Sequence, residues 1–343
     1  MRHTPFPPYD ARRRFLLHRA AIALAVTLAA LLAFYCVGMQ MEHTEPPSEA
    51  YGELDGRFSP TRTLEANGST YAYYENRYMH ILLIGVDEEG VGADGAYRSG
   101  GQADFLLLLS IDRNRKTITP VHIDRDTMAQ VPVYGPFGDA AGTRTMQLCL
   151  AHAFGSSEQL RCENTAQAVS NLLGGVRIDH YLSLSMDGIA RLNDALGGVP
   201  VTLNDDLSHL DPAMLPGVTL TLQGKQAEYY VRGRYGVGDN TNAGRMARQR
   251  TFIEAAIRLF SQQAEQNAAF AAELLETLSP FMHTTLTSAW LMDHTYPFTR
   301  YARADVQALE GTHLLGQDGF IEFHPDQQAL TDLLTRLIYE KEP

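Results

Sequence analysis

The sequence has little lysine, cysteine or tryptophan. Of 28 Lys and Arg residues, only Lys116, Lys225 and Lys341 are lysines, and its 343 residues include 3 cysteines and 1 tryptophan. So few cysteines exclude a small scaffold stapled by disulfides. Cations are also outnumbered: 40 Asp and Glu leave a formal charge of −12, which excludes binding duplex nucleic acid by charge alone. No Walker A or dinucleotide fingerprint is present, nor a Ser-His or Cys-His nucleophile pattern. The 12 histidines lack zinc-type spacing, and His152 within LAHAFG reads as a packed helix residue. Repeats and low-complexity tracts are missing. Apolar residues are plentiful at 45 %, enough for one large domain or two small ones.

The charge is uneven. Residues 1–19 hold Arg2, Arg12, Arg13, Arg14 and Arg19 against Asp10 alone. Residues 20–39 follow without a charge, and twenty residues of helix span roughly 30 Å, the hydrocarbon core of a bilayer. The basic flank precedes the run, so the N-terminus is expected in the cytoplasm and the rest outside. The run exceeds a signal-peptide apolar region, and Tyr35, Cys36 and Met39 spoil a small-residue cleavage site, so an uncleaved anchor is expected. Residues 40–77 read as a polar linker that can carry a short strand or helix.

Three apolar runs then end in acids: MHILLIGVD at Asp87, FLLLLSID at Asp112 and TITPVHID at Asp124. Their length fits strands buried on both faces, with helices on either side of a sheet. The short link Arg113–Lys116 makes the second and third runs a hairpin. Arg125 and Asp126 should therefore lie near Asp104, at the start of the second strand. The glycine-rich loop 88–103 returns Asp87 to the same end. Carboxylates with an arginine at one sheet edge fit a metal-plus-phosphate site.

Residues 232–250 carry five arginines against the single Asp239. AGRMARQRTFIEAAIRLFSQQ reads as an amphipathic helix starting near Asn242 or Gly244. Arg245, Arg248 and Gln249 share one face of its first turns. Backbone N–H groups at a helix N-terminus favour anions, and clustered cations there repel unless an anion is bound. Arg232, Arg234, Arg245 and Arg248 are thus candidate anion ligands. Farther on, LEGTHLLGQDGFIEFHP is expected to hold a strand pair. DQQALTDLLTRLIYE is expected to close the chain as a helix, with Leu330, Leu333, Leu334 and Leu337 on one stripe.

In order along about residues 78–260, ILLIGVD, GQADFLLLLSID, IDRDTM, CLAHAFG, CENTAQAVSNLLG, IDHYLSLSMDGIARLNDALGGVPV, LQGKQAEYYVRGR and GRMARQR resemble the LytR-CpsA-Psr family of cell-wall glycopolymer transferases. The resemblance implies a three-layer α/β/α sandwich with a central mixed sheet over 78–343, outside a Gram-positive-type membrane and behind one transmembrane helix. It implies transfer of an anionic glycopolymer, such as a teichoic acid, from a polyprenyl-pyrophosphate carrier to peptidoglycan as a phosphodiester, with Mg²⁺ or Mn²⁺. By matching motifs, Asp87 and Asp104 would hold the metal. Arg125, Arg232, Arg234, Arg245 and Gln249 would bind pyrophosphate, with Arg248 a further candidate. Asp126 or Asp239 would take the acceptor's proton.

The chain departs from the family pattern at three places. Asp124 stands where many members have Pro, Gln102 where many have Arg (Arg98 is nearby), and Asn242 where an acid is usual. A non-catalytic lipid-binding or regulatory protein and a pyrophosphatase are the competing readings. Cys149 and Cys162, on the outer side by this topology, are expected to form a disulfide, worth roughly 3 kcal/mol for a loop of that size.

Overall fold

The computed structural model describes residues 60–87, 101–134, 138–266, 270–287, 290 and 301–342. The basic tail, the apolar run 20–39 and Arg98 lie outside the described residues. Among the described residues, no helix is long and apolar enough to cross a membrane.

A seven-stranded sheet forms the centre. The strands are β3 (Tyr78–Val86), β4 (Ala103–Asp112), β5 (Thr117–Ile123), β8 (His180–Ser185), β11 (Met282–Thr284), β12 (Ala302–Arg303) and β13 (Gln307–Ala308). Their order is β11-β8-β3-β4-β5-β12, with β13 also on β5. β3 and β4 are antiparallel, as are β4 and β5, while β3 and β8 run parallel, so the sheet is mixed. The expected hairpin over Arg113–Lys116 is present. Asp112 closes it by accepting the backbone N–H groups of Asn114 and Arg115, each at 2.9 Å.

Successive strand residues face opposite sides, and each side has its own helices. Leu82, Ile84, Leu106 and Leu108 enter one core with Val169 of α1 (Glu158–Leu172) and Leu333 of α6 (Gln327–Leu337). Leu182, on the other face, joins Phe252 and Phe260 of α4 (Asn242–Gln266) and Leu274 of α5 (Phe270–Leu278). Two more helices complete the frame, α2 (Met186–Ala195) and α3 (Lys225–Arg232). Each fully buried aliphatic side chain contributes about 1.5–3 kcal/mol. Helix starts follow side-chain caps: Ser157 Oγ accepts from Leu160 N at 3.2 Å, and Asp326 Oδ1 from Ala329 N at 2.8 Å. The closing helix buries Leu330, Leu333 and Leu334 as expected, and it ends earlier than expected, because Tyr339–Lys341 is strand β16.

The folded unit begins before residue 78. β1 (Arg62–Ala66) and β2 (Ser69–Tyr73) form a small sheet with β16, and Tyr73 is fully buried. The linker assigned to 40–77 therefore extends too far. The segment is polar overall, and its two strands are completed by the C-terminal strand, which pairs with β2. Fully buried Arg77 locks this corner, with Nη2 2.5 Å from Asp112 and Nη1 2.6 Å from Glu340.

The remaining strands pair locally: β6 (Met128–Tyr134) with β7 (Ala140–Gln147), β9 (Pro200–Thr202) with β10 (Thr219–Thr221), and β14 (Gly311–Leu315) with β15 (Ile321–Pro325). The last hairpin is the expected strand pair. It docks on the segment after β5, where Phe323 N donates to Asp126 O at 2.8 Å.

Candidate functional site

Residues after β3, before β4 and after β5 meet at one end of the sheet. The backbone N–H of Asp87 donates to the Gln102 carbonyl at 2.9 Å, which sets the Asp87 segment beside the entry to β4. The register slips between Gly85 and Val86. A Cβ on Gly85 would lie 2.9 Å from Phe105 Cβ, so only glycine permits this close passage.

Asp104 is 6 % exposed and each of its oxygens meets a guanidinium. Arg125 Nη1 pairs with Oδ1, and Arg245 Nη1 lies 2.9 Å from Oδ2. Arg125 Nη2 donates to Gln102 Oε1 at 2.5 Å. Asp87 pairs with Arg232 at 2.5 Å, at the exposed rim. Burial, then the cations of Arg125 and Arg234, hold the Arg245 pKa down to about 10. Buried Arg234 Nε has no hydrogen-bond partner among the described residues. Asp126 lies 3.3 Å from Arg125 Nε. Its Oδ2 is buried with no hydrogen-bond partner among the described residues, and burial raises its pKa. The cluster is thus cation-rich around Arg245 and has a poorly solvated carboxylate beside it.

An apolar cavity of about 220 Å³ opens at this cluster. Leu83 and Gly85 of β3 and Phe105, Leu107 and Leu109 of β4 line one wall, each set spaced by two residues. Met186, Ile189 and Leu192 of α2 and Phe252, Ile253 and Ala256 of α4 line the others. Among the described residues, Asp104, Arg232 and Gln249 are the only charged or amide side chains in its lining. The arrangement can hold a molecule with a long apolar tail and a compact anionic head.

The structure does not bring every candidate to this cluster. Arg248 Nε donates to Tyr230 O at 3.0 Å, Nη2 donates to Gly233 O, and Nη1 pairs with Asp205 at 2.5 Å. Arg248 therefore fastens the end of α3, which carries Arg232, away from the Asp104 cluster. Asp239 is exposed and accepts from Thr241 N at 2.9 Å and Thr241 Oγ1 at 2.7 Å. These bonds lower its pKa, so it orders the turn before α4 and makes a poor base. Gln249 lines the cavity, with Nε2 3.3 Å from Val231 O.

The expected disulfide is also corrected: Cys149 and Cys162 are both free and buried. Cys149 lies against Arg125, and burial pushes its thiol up to about 11. Cys162 instead faces Glu158 and His152 from the first turns of α1. The sequence spacing permitted a bridge, but Cys149 on the turn Leu148–Ala153 and Cys162 on α1 meet different neighbours.

The sequence matches the LytR_cpsA_psr family over residues 49–338. The chain belongs to this family. It is 29 % identical over 315 residues to the polyisoprenyl-teichoic acid–peptidoglycan teichoic acid transferase TagU of Enterococcus faecalis, covering 91 % of this chain and 93 % of TagU. It is 25 % identical over 259 residues to the corresponding transferase TagV of Bacillus subtilis, covering 73 % and 61 %. The crystal structure of B. subtilis TagV superposes with a TM-score of 0.57 at 23 % identity, over 76 % of this chain and 96 % of TagV. TagT bound to LI-WTA gives 0.56 at 20 % identity, over 76 % and 89 %. The structural likeness establishes a shared fold.

Two of the departures of this LytR_cpsA_psr member touch one another. Asn242 Nδ2 donates to Asp124 Oδ1 at 2.5 Å, and Asn242 Oδ1 accepts from Arg245 Nη2 at 2.6 Å. Asp124 Oδ2 lies 2.9 Å from His313 Nε2 on β14. The carboxylate absent from position 242 is thus supplied from position 124, one hydrogen bond farther from Arg245. Sequence reasoning noted both substitutions but not their contact, and it missed His313 and Asp205, whose partners are remote in the chain.

Proposed function

We propose that this family member is a phosphotransferase that moves an anionic glycopolymer from a polyprenyl-pyrophosphate carrier to peptidoglycan. One observation carries the reading: the apolar cavity ends in a buried cluster of guanidinium and carboxylate groups. Its walls suit a polyprenyl tail and its mouth suits a pyrophosphate. The charge-free run 20–39 completes the proposal as a single-pass anchor that holds the catalytic domain outside the membrane, beside a lipid-borne donor.

Asp87, just past the end of β3, and Asp104, at the start of β4, offer hard oxygen donors that would suit Mg²⁺ or Mn²⁺. Bound there, the ion supplies Lewis-acid neutralisation of phosphate charge. Arg125, Arg234 and Arg245 grip the pyrophosphate, and Arg232 exchanges Asp87 for a phosphate oxygen as the donor enters. The acceptor hydroxyl attacks the glycopolymer-bearing phosphorus. The bond to the bridging oxygen breaks, and polyprenyl phosphate leaves with the electron pair. Asp126 accepts the hydroxyl proton, a role suited to a buried carboxylate of raised pKa. Catalysis then rests on positioning and charge stabilisation.

The test is incubation of the purified full chain with a polyprenyl-pyrophosphate-linked oligosaccharide, a peptidoglycan fragment and Mg²⁺, followed by mass spectrometry. A phosphodiester-linked product, lost in Arg125→Ala, is the expected result. Free sugar phosphate alone would make the protein a pyrophosphatase. Donor bound but intact would make it a binding protein.

A further inference from the structure

A second polar cluster lies apart from the arginine site, on the α1 side of the sheet. His152, Glu158 and Cys162 bring one nitrogen, one oxygen and one sulfur together. His152 Nε2 is 3.3 Å from Glu158 Oε1. Cys162 Sγ is 3.7 Å from each of these atoms. A tetrahedral Zn²⁺ with ordinary bond lengths sets its nitrogen, oxygen and sulfur ligands about 3.3–3.6 Å apart. The three atoms therefore already outline one face of such a tetrahedron.

The surrounding groups orient each donor. His152 Nδ1 lies 3.2 Å from the Gly101 carbonyl oxygen. A carbonyl only accepts, so Nδ1 carries a proton and Nε2 is the nitrogen that faces the cluster, the usual arrangement behind a metal-bound histidine. Arg161 Nη1, at 3.3 Å, holds Glu158 Oε2, which leaves Oε1 to the cluster. Ser183 Oγ donates to Oε1 at 3.2 Å.

The backbone presets the same geometry. Glu158 and Cys162 are four residues apart on α1, hence on one face. Gly155 has φ +143°, and a Cβ there would lie 2.8 Å from Arg161 N. Only glycine lets the His152 turn fold back onto the helix this closely. Asn164 Nδ2 pins the turn by donating to Ala151 O at 2.7 Å. His152 and Cys162 are fully buried, and Tyr181, also buried, has a hydroxyl with no hydrogen-bond partner among the described residues.

We propose that His152, Glu158 and Cys162 form a binding site for a borderline-soft divalent transition-metal ion of the Zn²⁺ class. One thiolate and one carboxylate neutralise a divalent charge, and the sulfur and imidazole select against Mg²⁺ and Ca²⁺. Binding releases the thiol proton to solvent. The bound ion ties α1 to the Gly101 segment that leads into Gln102 and Asp104, so its role is structural support of the neighbouring site. The proposal stands independently of the proposed transfer reaction.

The test uses the full chain in detergent, stripped with a chelator and titrated with Co²⁺. The expected result is tetrahedral visible bands with a thiolate-to-cobalt charge-transfer band, saturating at one equivalent and displaced by Zn²⁺. Asp87→Asn should retain these bands. Cys162→Ser should abolish the charge-transfer band, and His152→Gln should weaken Co²⁺ binding at least tenfold. Circular dichroism confirms that each variant is folded. Should Cys162→Ser fail to fold, Glu158→Gln with weakened Co²⁺ binding serves in its place. Absence of the charge-transfer band in folded wild-type protein, or its persistence in Cys162→Ser, overturns the site.

Discussion

Replacing Arg232 and Arg248 separately by alanine should divide ligand binding from scaffolding within one basic cluster. The Arg232 side chain is 46 % exposed and its partner Asp87 is 36 % exposed. An ion pair this open contributes less than about 1 kcal/mol to stability, so Arg232→Ala should unfold in urea almost like wild type. Arg248 is 7 % exposed and engages two backbone carbonyls and Asp205. Hydrogen bonds to charged groups are worth about 1.5–3 kcal/mol each. Asp205 retains some water, so the three do not sum in full. Arg248→Ala should cost about 3–5 kcal/mol, the range for breaking a buried charged network. Transfer measured on folded protein should fall at least tenfold in Arg232→Ala, about 1.4 kcal/mol or more of transition-state stabilisation. The reasoning fails if Arg232→Ala destabilises as much as Arg248→Ala. It also fails if Arg248→Ala keeps wild-type stability while losing donor binding.

Other perturbations probe the rest of the molecule. Asn242→Asp sets two carboxylates against each other at Asp124 and should destabilise by about 1–3 kcal/mol. Adding Asp124→Asn should restore most of this, and a double-mutant cycle without coupling would refute the pairing. Buried His80 has its pKa depressed to about 4, so the folded state holds it neutral. Its contribution is intact above the unfolded value near 6.5 and is lost as pH falls toward 4, at about 1.4 kcal/mol per pH unit and about 3 kcal/mol in all. His80→Phe should flatten urea stability across that window, and an unchanged slope would exclude His80 as the cause. Asp112→Ala leaves the Arg77 guanidinium buried with Glu340 alone and should cost about 3–5 kcal/mol in the same assay. Alkylation of the unfolded full chain with chelator and without reductant should label Cys36, Cys149 and Cys162, and a mass showing two thiols protected would restore the disulfide.

Much of the scaffold was legible because its signals are local. Continuous apolar runs marked β3, β4 and β5, and the four-residue link made the hairpin that sets Arg125 against Asp104. Helical spacing marked the Leu330, Leu333 and Leu334 stripe, and of the two starts read for α4, Asn242 and Gly244, the structure has the first. β1 and β2 were not legible, since β2 is completed by β16 at the far end of the chain. The apolar cavity was not legible, because residues that line a pocket and residues that fill a core have the same spacing.

The sequence by itself determined the strand-end acids, the arginine-rich helix entry and the family, all carried by contiguous segments in a fixed order. Tertiary structure decided what each charged group does. Arg245 and Arg248 share a helix face and composition, yet one meets Asp104 across the sheet edge and the other meets the carbonyls that end α3. Asp124 meets Asn242 and His313 across separations of 118 and 189 residues. His152 and Cys162 are 10 residues apart in the chain, but they face each other only because the Gly155 turn folds back onto α1. Hydrogen bonds and ion coordination act over a few ångströms in space, and separation along the chain does not encode that distance.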